Sequence, residues 1–257
     1  MRIAVLVKDV PDTYGTRALD LETGLTDRAG EMVLDEIGER AVEAALAVSA
    51  AAGGGTVELI CVGPESAETS LRRGLAMGAD SAILVSDDTL VGADLGQTAE
   101  VIAAVAARDP YDLIVAGNLS TDGNGGVLPA MVAELLGLPQ LTNLTEMSVA
   151  GGVLSATRAA DDGTLSLEAE LPAVVSVTEA FPEPRYPNFK GLMAAKKKPV
   201  ERLSPSELGI DAGDFSHARS IMIEVAQRPP REAGTVVTDD GTAARQLADY
   251  LVSHRLV

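Results

Sequence analysis

The segment Tyr111-Asp112-Leu113-Ile114-Val115-Ala116-Gly117-Asn118-Leu119-Ser120-Thr121-Asp122-Gly123-Asn124-Gly125-Gly126 joins an apolar strand to a glycine-rich loop, and a helix is predicted over 127–136. A loop between the carboxyl end of a strand and the start of a helix presents backbone N–H groups and the positive end of the helix, which suit a phosphate. The loop lacks the Gly-x-Gly-x-x-Gly pattern, and long loops collect glycine and asparagine for turn formation alone. From this segment alone, the loop could either bind a nucleotide or serve only as a connection.

Other short apolar runs predict more strands of the same kind, at residues 3–7, 57–62 and 82–85. They are apolar almost throughout, as is typical of parallel strands that are buried on both faces. Helical spacing of apolar residues predicts helices at 35–52, 66–77 and 95–107. The alternation of strand and helix predicts an α/β fold with right-handed crossovers and a doubly wound, mostly parallel sheet of nucleotide-binding topology.

The pattern changes after Pro139. Residues 141–171 alternate apolar and polar around glycine-containing turns, which predicts an antiparallel hairpin extension, and 172–177 returns to a buried strand. Beyond residue 200 prolines recur and helical signals are sparse until a last amphipathic helix at 242–254. We therefore predict an α/β core with a hairpin extension over 1–200, and a C-terminal arm over 201–257 that lies on a partner subunit.

The composition excludes several classes of function. The chain has 257 residues and a formal net charge of −18, which would repel a nucleic-acid backbone. The apolar stretch at the N-terminus is too short for a signal peptide or a membrane span, so we expect a cytoplasmic protein without membrane insertion.

The reactive side chains are few. The one cysteine, Cys61, excludes an intramolecular disulfide and a cysteine-ligated metal centre, and its apolar neighbours predict a buried thiol. His217 and His254 lie far from any glycine-rich or acidic cluster, and no hydrolase or P-loop motif occurs. The sequence therefore predicts no catalytic residue and no metal site.

Several further segments follow one another in a fixed order along the chain: Val7-Lys8-Asp9-Val10-Pro11-Asp12; Gly63-Pro64; Glu68-Thr69-Ser70-Leu71-Arg72-Arg73-Gly74-Leu75-Ala76-Met77-Gly78-Ala79-Asp80; Leu171-Pro172-Ala173-Val174-Val175; Glu183-Pro184-Arg185-Tyr186; and Leu192-Met193-Ala194-Ala195-Lys196-Lys197-Lys198-Pro199. This series resembles the β subunits of electron-transfer flavoproteins over nearly the whole chain. The resemblance implies a heterodimer in which the α subunit supplies most contacts to one FAD, while the β subunit holds AMP and the arm over 201–257 wraps the α subunit.

The resemblance also implies which residues bind the AMP. They are Leu6, Asp35, Glu36, Ile37, Gly38, Val62, Gly117, Asn118, Leu119, Ser120, Thr121, Asp122, Gly123, Asn124, Gly125, Gly126, Val127 and Leu128. This set includes the glycine-rich loop that the spacing makes a candidate phosphate site. Arg185 and Tyr14 are the candidates for contact with the flavin itself.

A partner-recognition loop follows Arg185 in the resemblance, and its residues are Tyr186, Pro187, Asn188, Phe189, Lys190, Gly191 and Leu192. Its apolar tip would insert into a pocket on the partner dehydrogenase. Family members commonly carry leucine at the tip, where this chain has Phe189. An aromatic ring suits a binding anchor, and the alternative is that Phe189 packs into the protein's own core.

The resemblance implies an electron carrier rather than an enzyme, since redox chemistry resides in the bound flavin. Electrons would pass from flavin dehydrogenases, such as acyl-CoA dehydrogenases, through a quinone oxidoreductase towards the respiratory chain. Members that split electron pairs hold a second FAD in place of AMP and follow Asp-Gly with an acid, a threonine and a glutamine. This chain continues with Asn124-Gly125-Gly126, which favours AMP.

Two rival functions remain open. An adenine-nucleotide sensor of the universal-stress type shares the parallel sheet and the phosphate loop, but it leaves the arm and the recognition loop without a purpose. An enzyme that cleaves ATP to pyrophosphate would need a Ser-Gly-Gly-x-Asp-Ser loop after the first strand, where this chain has Asp9-Val10-Pro11-Asp12.

Overall fold

The computed structural model describes residues 1–15, 17–214, 220–231 and 234–257, so His217 lies outside the described residues. The strands are β1 (Arg2–Leu6), β2 (Asp9–Pro11), β3 (Met32–Leu34), β4 (Thr56–Val62), β5 (Ser81–Val85), β6 (Leu113–Gly117), β7 (Gln140–Ala150), β8 (Val153–Ala160), β9 (Gly163–Glu170), β10 (Ala173–Val177) and β11 (Val200–Leu203). The α-helices are α1 (Glu36–Ala51), α2 (Glu68–Met77), α3 (Leu95–Arg108), α4 (Leu128–Leu136), α5 (Phe189–Ala195) and α6 (Ala243–Ser253).

The main sheet contains nine strands in the order β11-β5-β4-β1-β6-β10-β7-β8-β9. The pairs from β11 to β7 are all parallel. Strand β1 lies inside the sheet between β4 and β6 and is buried on both faces, with Ile3, Ala4 and Val5 fully inaccessible. Continuous apolar strands of this kind form where helices cover both faces of a parallel sheet.

The helices divide between the two faces. Ala41, Ala45 and other residues of α1 pack with α2 and with alternate strand residues in one core cluster. Helices α3 and α4 pack on the opposite face in a second cluster. The predicted doubly wound, mostly parallel α/β sheet is therefore confirmed.

The hairpin extension continues the same sheet. Strand β7 pairs in parallel with β10 at one end and antiparallel with β8 along most of its length, and β8 pairs antiparallel with β9. Leu154 and Ala156 of β8 point into the first core cluster, while their neighbours are more accessible. This alternation is what an antiparallel sheet needs when one face meets the core and the other faces solvent.

The sequence pattern did not predict four short elements. Strands β2 and β3 form a separate antiparallel pair between β1 and α1, and β11 adds an edge strand beside β5. Residues 189–195 form helix α5, which the sequence had suggested was a loop. Strands β2, β3 and β11 have three or four residues and helix α5 has seven, too few to show a strand or helix period. Strands β1, β5 and β6 are also short, but each is recognisable as a nearly continuous apolar run.

The chain divides into two compact units, residues 1–224 and 225–257. Strand β11 and the residues after it, including buried Leu203 and Ala212, belong to the first unit. In the second unit no described residue is buried, and helix α6 exposes Leu247, Tyr250 and Val252. Among the described residues, no helix has the length and apolar character needed to cross a membrane.

Cys61 lies inside β4 with 2% of its surface exposed. Burial, assisted by the nearby charge of Asp9, raises the pKa of its thiol to about 12. The thiol is therefore inert at neutral pH, as the apolar sequence around it predicts.

A polar network closes the amino-terminal edge of the sheet, opposite the carboxyl ends of the strands. Glu58 accepts hydrogen bonds from Tyr111 at 2.5 Å and Ser81 at 2.6 Å, and it pairs with Arg2 at 2.9 Å. The guanidinium of Arg2 lies 4.1 Å from the centre of the Tyr111 ring. Burial opposes ionisation of Glu58, but these donors and the Arg2 charge hold its pKa below the ordinary value.

The pairing of Glu58 makes stability depend on pH. Because the pKa of Glu58 is lower in the folded than in the unfolded chain, its stabilisation is present above the unfolded value of about 4.3 and is lost as the pH falls through the folded value. We expect Glu58→Gln to cost about 1–3 kcal/mol at pH 7, measured by thermal melting. At pH 3 the difference from the unmutated chain should shrink. Glu146→Gln, at an exposed position on β7, is the control, and an equal effect at both pH values would contradict the assignment.

Candidate functional site

The carboxyl ends of β1 and β6 lie side by side in the sheet, with Leu6 paired to Ala116. The connection that follows β1 runs through α1 to β4, on one side of β1. The connection that follows β6 runs through α4 to β7, on the opposite side of the sheet order. Connections that run in opposite directions from neighbouring strands leave a crevice between them, which is where open α/β sheets bind ligands. The glycine-rich loop that the sequence selected begins at this crevice.

The loop from residue 117 to 127 is held in a defined conformation. The N–H of Asn118 donates to the Val177 carbonyl at 2.9 Å, and the N–H of Asn124 donates to the Ser120 carbonyl at 3.0 Å. Gly126 has a φ of 67°, a left-handed conformation that favours glycine. Among the described residues, no acceptor receives the N–H groups of residues 125–128, where α4 begins. Four consecutive free donors at the positive end of a helix form a cradle for an anion.

The carboxylate of Asp35 fastens the start of α1 to this loop. Only 1% of the residue is exposed, and its Oδ2 accepts the N–H of Thr121 at 3.0 Å. Burial raises the pKa of this carboxyl. Within the described ranges, Asp35 Oδ1 and Asn118 Oδ1 are buried without a hydrogen-bond partner. Two unpaired buried acceptors beside the cradle require donors, which a ribose hydroxyl or an adenine amino group would supply.

The apolar part of the crevice comes from β1, β4 and α1. Leu6 and Val62 stand at the ends of their strands, and Ile37 lies in the first turn of α1. A Cβ on Gly117 would come within 2.7 Å of Ile37, so this position requires glycine. The close approach lets the first turn of α1 pack directly on the end of β6.

Three cations surround the same loop. Lys8 Nζ lies 2.7 Å from Asp122 Oδ1, Arg28 lies 3.8 Å from Asp122 Oδ2, and Arg17 donates to the Thr121 carbonyl and hydroxyl. Burial of Asp122 opposes its ionisation, but the hydrogen bond and charge of Lys8 hold its pKa below the ordinary value. On a chain of net charge −18, this concentration of positive charge gives the cradle an attraction for anions that the surface as a whole lacks.

A second candidate surface lies at residues 186–192, which we call the docking segment. Asn188 caps α5 by accepting the N–H of Gly191 at 2.8 Å, so Phe189 occupies the first position of a helix rather than the tip of a loop. Phe189 is 79% exposed, which excludes the alternative that it packs into the core. Tyr186, Leu192 and neighbouring Met193 are also exposed. Together they form an apolar surface.

The residues after α5 tie it to α2. Lys198 Nζ donates to the Leu75 carbonyl at 2.9 Å and to the Ala79 carbonyl, at the carboxyl end of α2. Arg72 donates to the Ala195 and Lys198 carbonyls at 2.8 and 2.7 Å. One lysine of the basic run is therefore occupied within the chain, while Lys196 and Lys197 are exposed.

Residues 23–208 match the family model described as "Electron transfer flavoprotein domain". The chain belongs to the electron transfer flavoprotein family. It is 44% identical over 263 aligned positions to a protein of Mycobacterium tuberculosis strain H37Rv, covering 99% of each chain. It is 33% identical over 260 positions to a protein of Bacillus subtilis, covering 100% of each. Both relatives are named "Electron transfer flavoprotein subunit beta". The family predicted from the sequence is thus confirmed.

In this family member, the residues predicted to bind AMP gather at the carboxyl edge of β1, β4 and β6. The hydrogen bond of Asp35 and the packing of Ile37 on Gly117 join the start of α1 to the loop. The two residues predicted near the flavin lie outside this cluster of contacts. Tyr14 is 97% exposed, and the guanidinium of Arg185 forms two hydrogen bonds with Glu43 at 2.7 and 2.8 Å.

Sequence reasoning missed the cations Arg17 and Arg28 and treated Lys8 only as part of a family segment. Arg17 and Arg28 lie in the long connection between β2 and β3, which carries no periodic pattern. The signal that was available is charge, because basic residues are scarce in this chain. Among the described residues, no cluster of three or more histidine, cysteine or acidic side chains is arranged to hold a metal ion.

The bond between Asp35 and the loop yields a prediction. Asp35→Ala leaves the half-buried Thr121 N–H without its acceptor, which we expect to cost about 1–3 kcal/mol and to speed amide hydrogen exchange in residues 118–127. Asp35→Asn keeps a carbonyl acceptor and should leave loop exchange close to that of the unmutated chain. Exchange and thermal melting measure both effects. Unchanged loop exchange in Asp35→Ala would show that the loop holds its conformation without Asp35.

Proposed function

We propose that this chain is the β subunit of a heterodimeric electron-transfer flavoprotein, with AMP bound at the carboxyl edge of β1, β4 and β6. One FAD is shared with the α subunit. The two relatives described above carry the β-subunit name, and the chain is similar to them from end to end. The protein acts as an electron carrier in the cytoplasm, and no side chain of this subunit serves as a nucleophile or base.

The observation that carries the AMP site is the set of unpaired polar groups in the crevice. Within the described residues, four free N–H groups at residues 125–128 stand near the buried unpaired oxygens of Asp35 and Asn118. Free donors fit a phosphate and free acceptors fit a nucleoside, so the crevice matches both ends of one nucleotide. Buried unpaired oxygens are costly, which gives the nucleotide a stabilising role.

AMP rather than a second FAD is favoured by the loop sequence. Asn124-Gly125-Gly126 replaces the acid, threonine and glutamine that accompany a second FAD in electron-splitting members. Asn124 and Gly126 both have positive φ, so the backbone here turns tightly before α4 begins. A tight turn with four donors suits a single phosphate group.

The flavin, when bound, supplies the electron transfer, taking electrons singly or in pairs. This chain's own residues bind, orient and dock. Tyr14 is exposed and available to an α subunit. The side chain of Arg185 pairs with Glu43 but remains half-exposed, so part of it is available to the flavin.

The C-terminal arm over 201–257 is proposed to wrap the α subunit. Within its last part, residues 225–257, no described residue is buried. Helix α6 exposes Leu247, Tyr250 and Val252, apolar groups that a second subunit would cover. Electrons arrive from flavin dehydrogenases, such as acyl-CoA dehydrogenases, and leave through a quinone oxidoreductase.

The nucleotide content of the complex tests the AMP assignment. Acid extraction of the heterodimer, co-purified with its α subunit, should release one FAD and one AMP, as measured by chromatography. Two FAD and no AMP would assign the chain to the electron-splitting members. ATP bound by a flavin-free single chain would favour the universal-stress reading.

A variant localises the AMP. Gly117→Ala would drive a Cβ to within 2.7 Å of Ile37, so we expect it to displace α1 from the loop and lower the AMP content severalfold, while the FAD content is unchanged. Gly30→Ala is the matched control, because its Cβ would meet nothing within 4 Å. Full AMP content in Gly117→Ala would place the nucleotide elsewhere.

The exposed ring of Phe189 is proposed to anchor the dehydrogenase. Phe189→Ala should weaken docking by about 2 kcal/mol, as is typical when an interface anchor is truncated. The measurement is the rate of flavin reduction by an acyl-CoA dehydrogenase at a series of its concentrations. Flavin content and melting temperature should stay the same, because the ring is 79% exposed. Leu165→Ala, at an exposed apolar position on β9, is the control. A normal reduction rate would remove Phe189 from docking.

A further inference from the structure

The connection that leads into the docking segment is attached to the outer side of α1. Arg40 donates to the Phe181 carbonyl at 2.6 Å. Glu39 immediately precedes Arg40, and Glu43 lies one turn after Glu39 on the same helix. Glu39 and Glu43 share a helix face because they are four residues apart. Within the described residues, the hydrogen bonds and ion pairs of these three side chains go to Phe181, Arg73 and Arg185, and none goes to the glycine-rich loop.

Glu43 holds Arg185 with an unusually complete set of bonds. Its Oε2 accepts the Arg185 backbone N–H at 3.0 Å and Nε at 2.7 Å, and its Oε1 accepts a terminal guanidinium nitrogen at 2.8 Å. The Arg185 hydrogen bonds, which outweigh partial burial, hold the pKa of Glu43 below its ordinary value. One carboxylate therefore fixes both the backbone and the side chain of the residue immediately before the docking segment.

The next residue is held by a second pair. The guanidinium of Arg73 lies 4.8 Å from the centre of the Tyr186 ring and pairs with Glu39 at 2.9 Å. At the far end, Gly191 packs against the Ala76 carbonyl so closely that a Cβ would lie 2.5 Å from its oxygen. The docking segment is thus fastened at both ends, while Phe189 between them stays exposed.

We propose that Glu43 is a positioning residue for dehydrogenase docking: through Arg185 it holds the docking segment in its binding conformation, without touching the partner. The inference rests on the proposed docking function. A free segment would lose conformational freedom when the partner binds, and that loss weakens affinity. A segment already fixed on α1 has little freedom left to lose.

The role differs from that of Phe189. Phe189 supplies contact area to the partner, whereas Glu43 supplies no contact area and acts only through the conformation of the segment. Removing the carboxylate charge should therefore weaken docking and leave electron transfer within the docked complex unchanged. It should also loosen the segment in the absence of any partner.

The test compares Glu43→Gln with Glu134→Gln in the heterodimer; Glu134 is exposed on α4. Glu43→Gln keeps the shape of the side chain but removes its charge. We expect amide exchange at 185–191 to rise about tenfold, with exchange in the β8–β9 hairpin unchanged. With an acyl-CoA dehydrogenase as donor, kcat/KM should fall about tenfold through KM at constant kcat, with FAD content unaltered. Glu134→Gln should change neither measurement.

The outcomes separate this inference from the docking function itself. Unchanged exchange in Glu43→Gln would show that Glu43 does not fix the segment. Faster exchange with an unaltered KM, while Phe189→Ala still raises KM, would show that the segment docks equally well when loose. Either result overturns the positioning role and leaves docking standing. An unaltered KM in Phe189→Ala as well would overturn the docking function.

Discussion

The hydrogen bond from the Thr121 N–H to the buried carboxylate of Asp35 joins the two parts of the chain on which the candidate nucleotide site depends. Asp35 immediately precedes α1, so the bond sets the start of that helix against the glycine-rich loop after β6. Glu39 and Glu43 then lie one and two turns along α1. Glu43 holds Arg185, immediately before the docking segment, and Glu39 pairs with Arg73, which lies over the ring of Tyr186 in the segment. Both candidate surfaces are therefore positioned by one helix whose buried face packs on the sheet.

The main architecture could be predicted from the sequence because its central strands are almost wholly apolar and its helices are long and regular. The apolar strands around Val5 and Val115 and the helix over Glu36–Ala51 carry strong patterns, and their order implies the doubly wound sheet. Strand β11 could not be predicted. Its sequence, Val-Glu-Arg-Leu, has two adjacent polar residues and so lacks the alternation of a strand, and pairing with the edge of β5 makes it one.

The candidate site was partly predictable for a related reason. The glycine-rich composition of the loop over 117–126 indicates a candidate site, and the family resemblance added Asp35 to Gly38. Neither source could show that Arg17 and Arg28 approach this loop, because those contacts cross about a hundred residues of chain. Likewise, the polar residues around Phe189 predict a loop, whereas the structure has a helix that begins at Phe189 and is capped by Asn188.

The burial of Cys61 has a practical consequence for spectroscopy. It is the one cysteine of the sequence, and its thiol stays protonated and enclosed in β4. A maleimide or spin label therefore has no native target on the folded chain. A cysteine introduced at an exposed position of the hairpin or of α6 would be the one reactive thiol of this chain, so a label could be placed there without first removing Cys61.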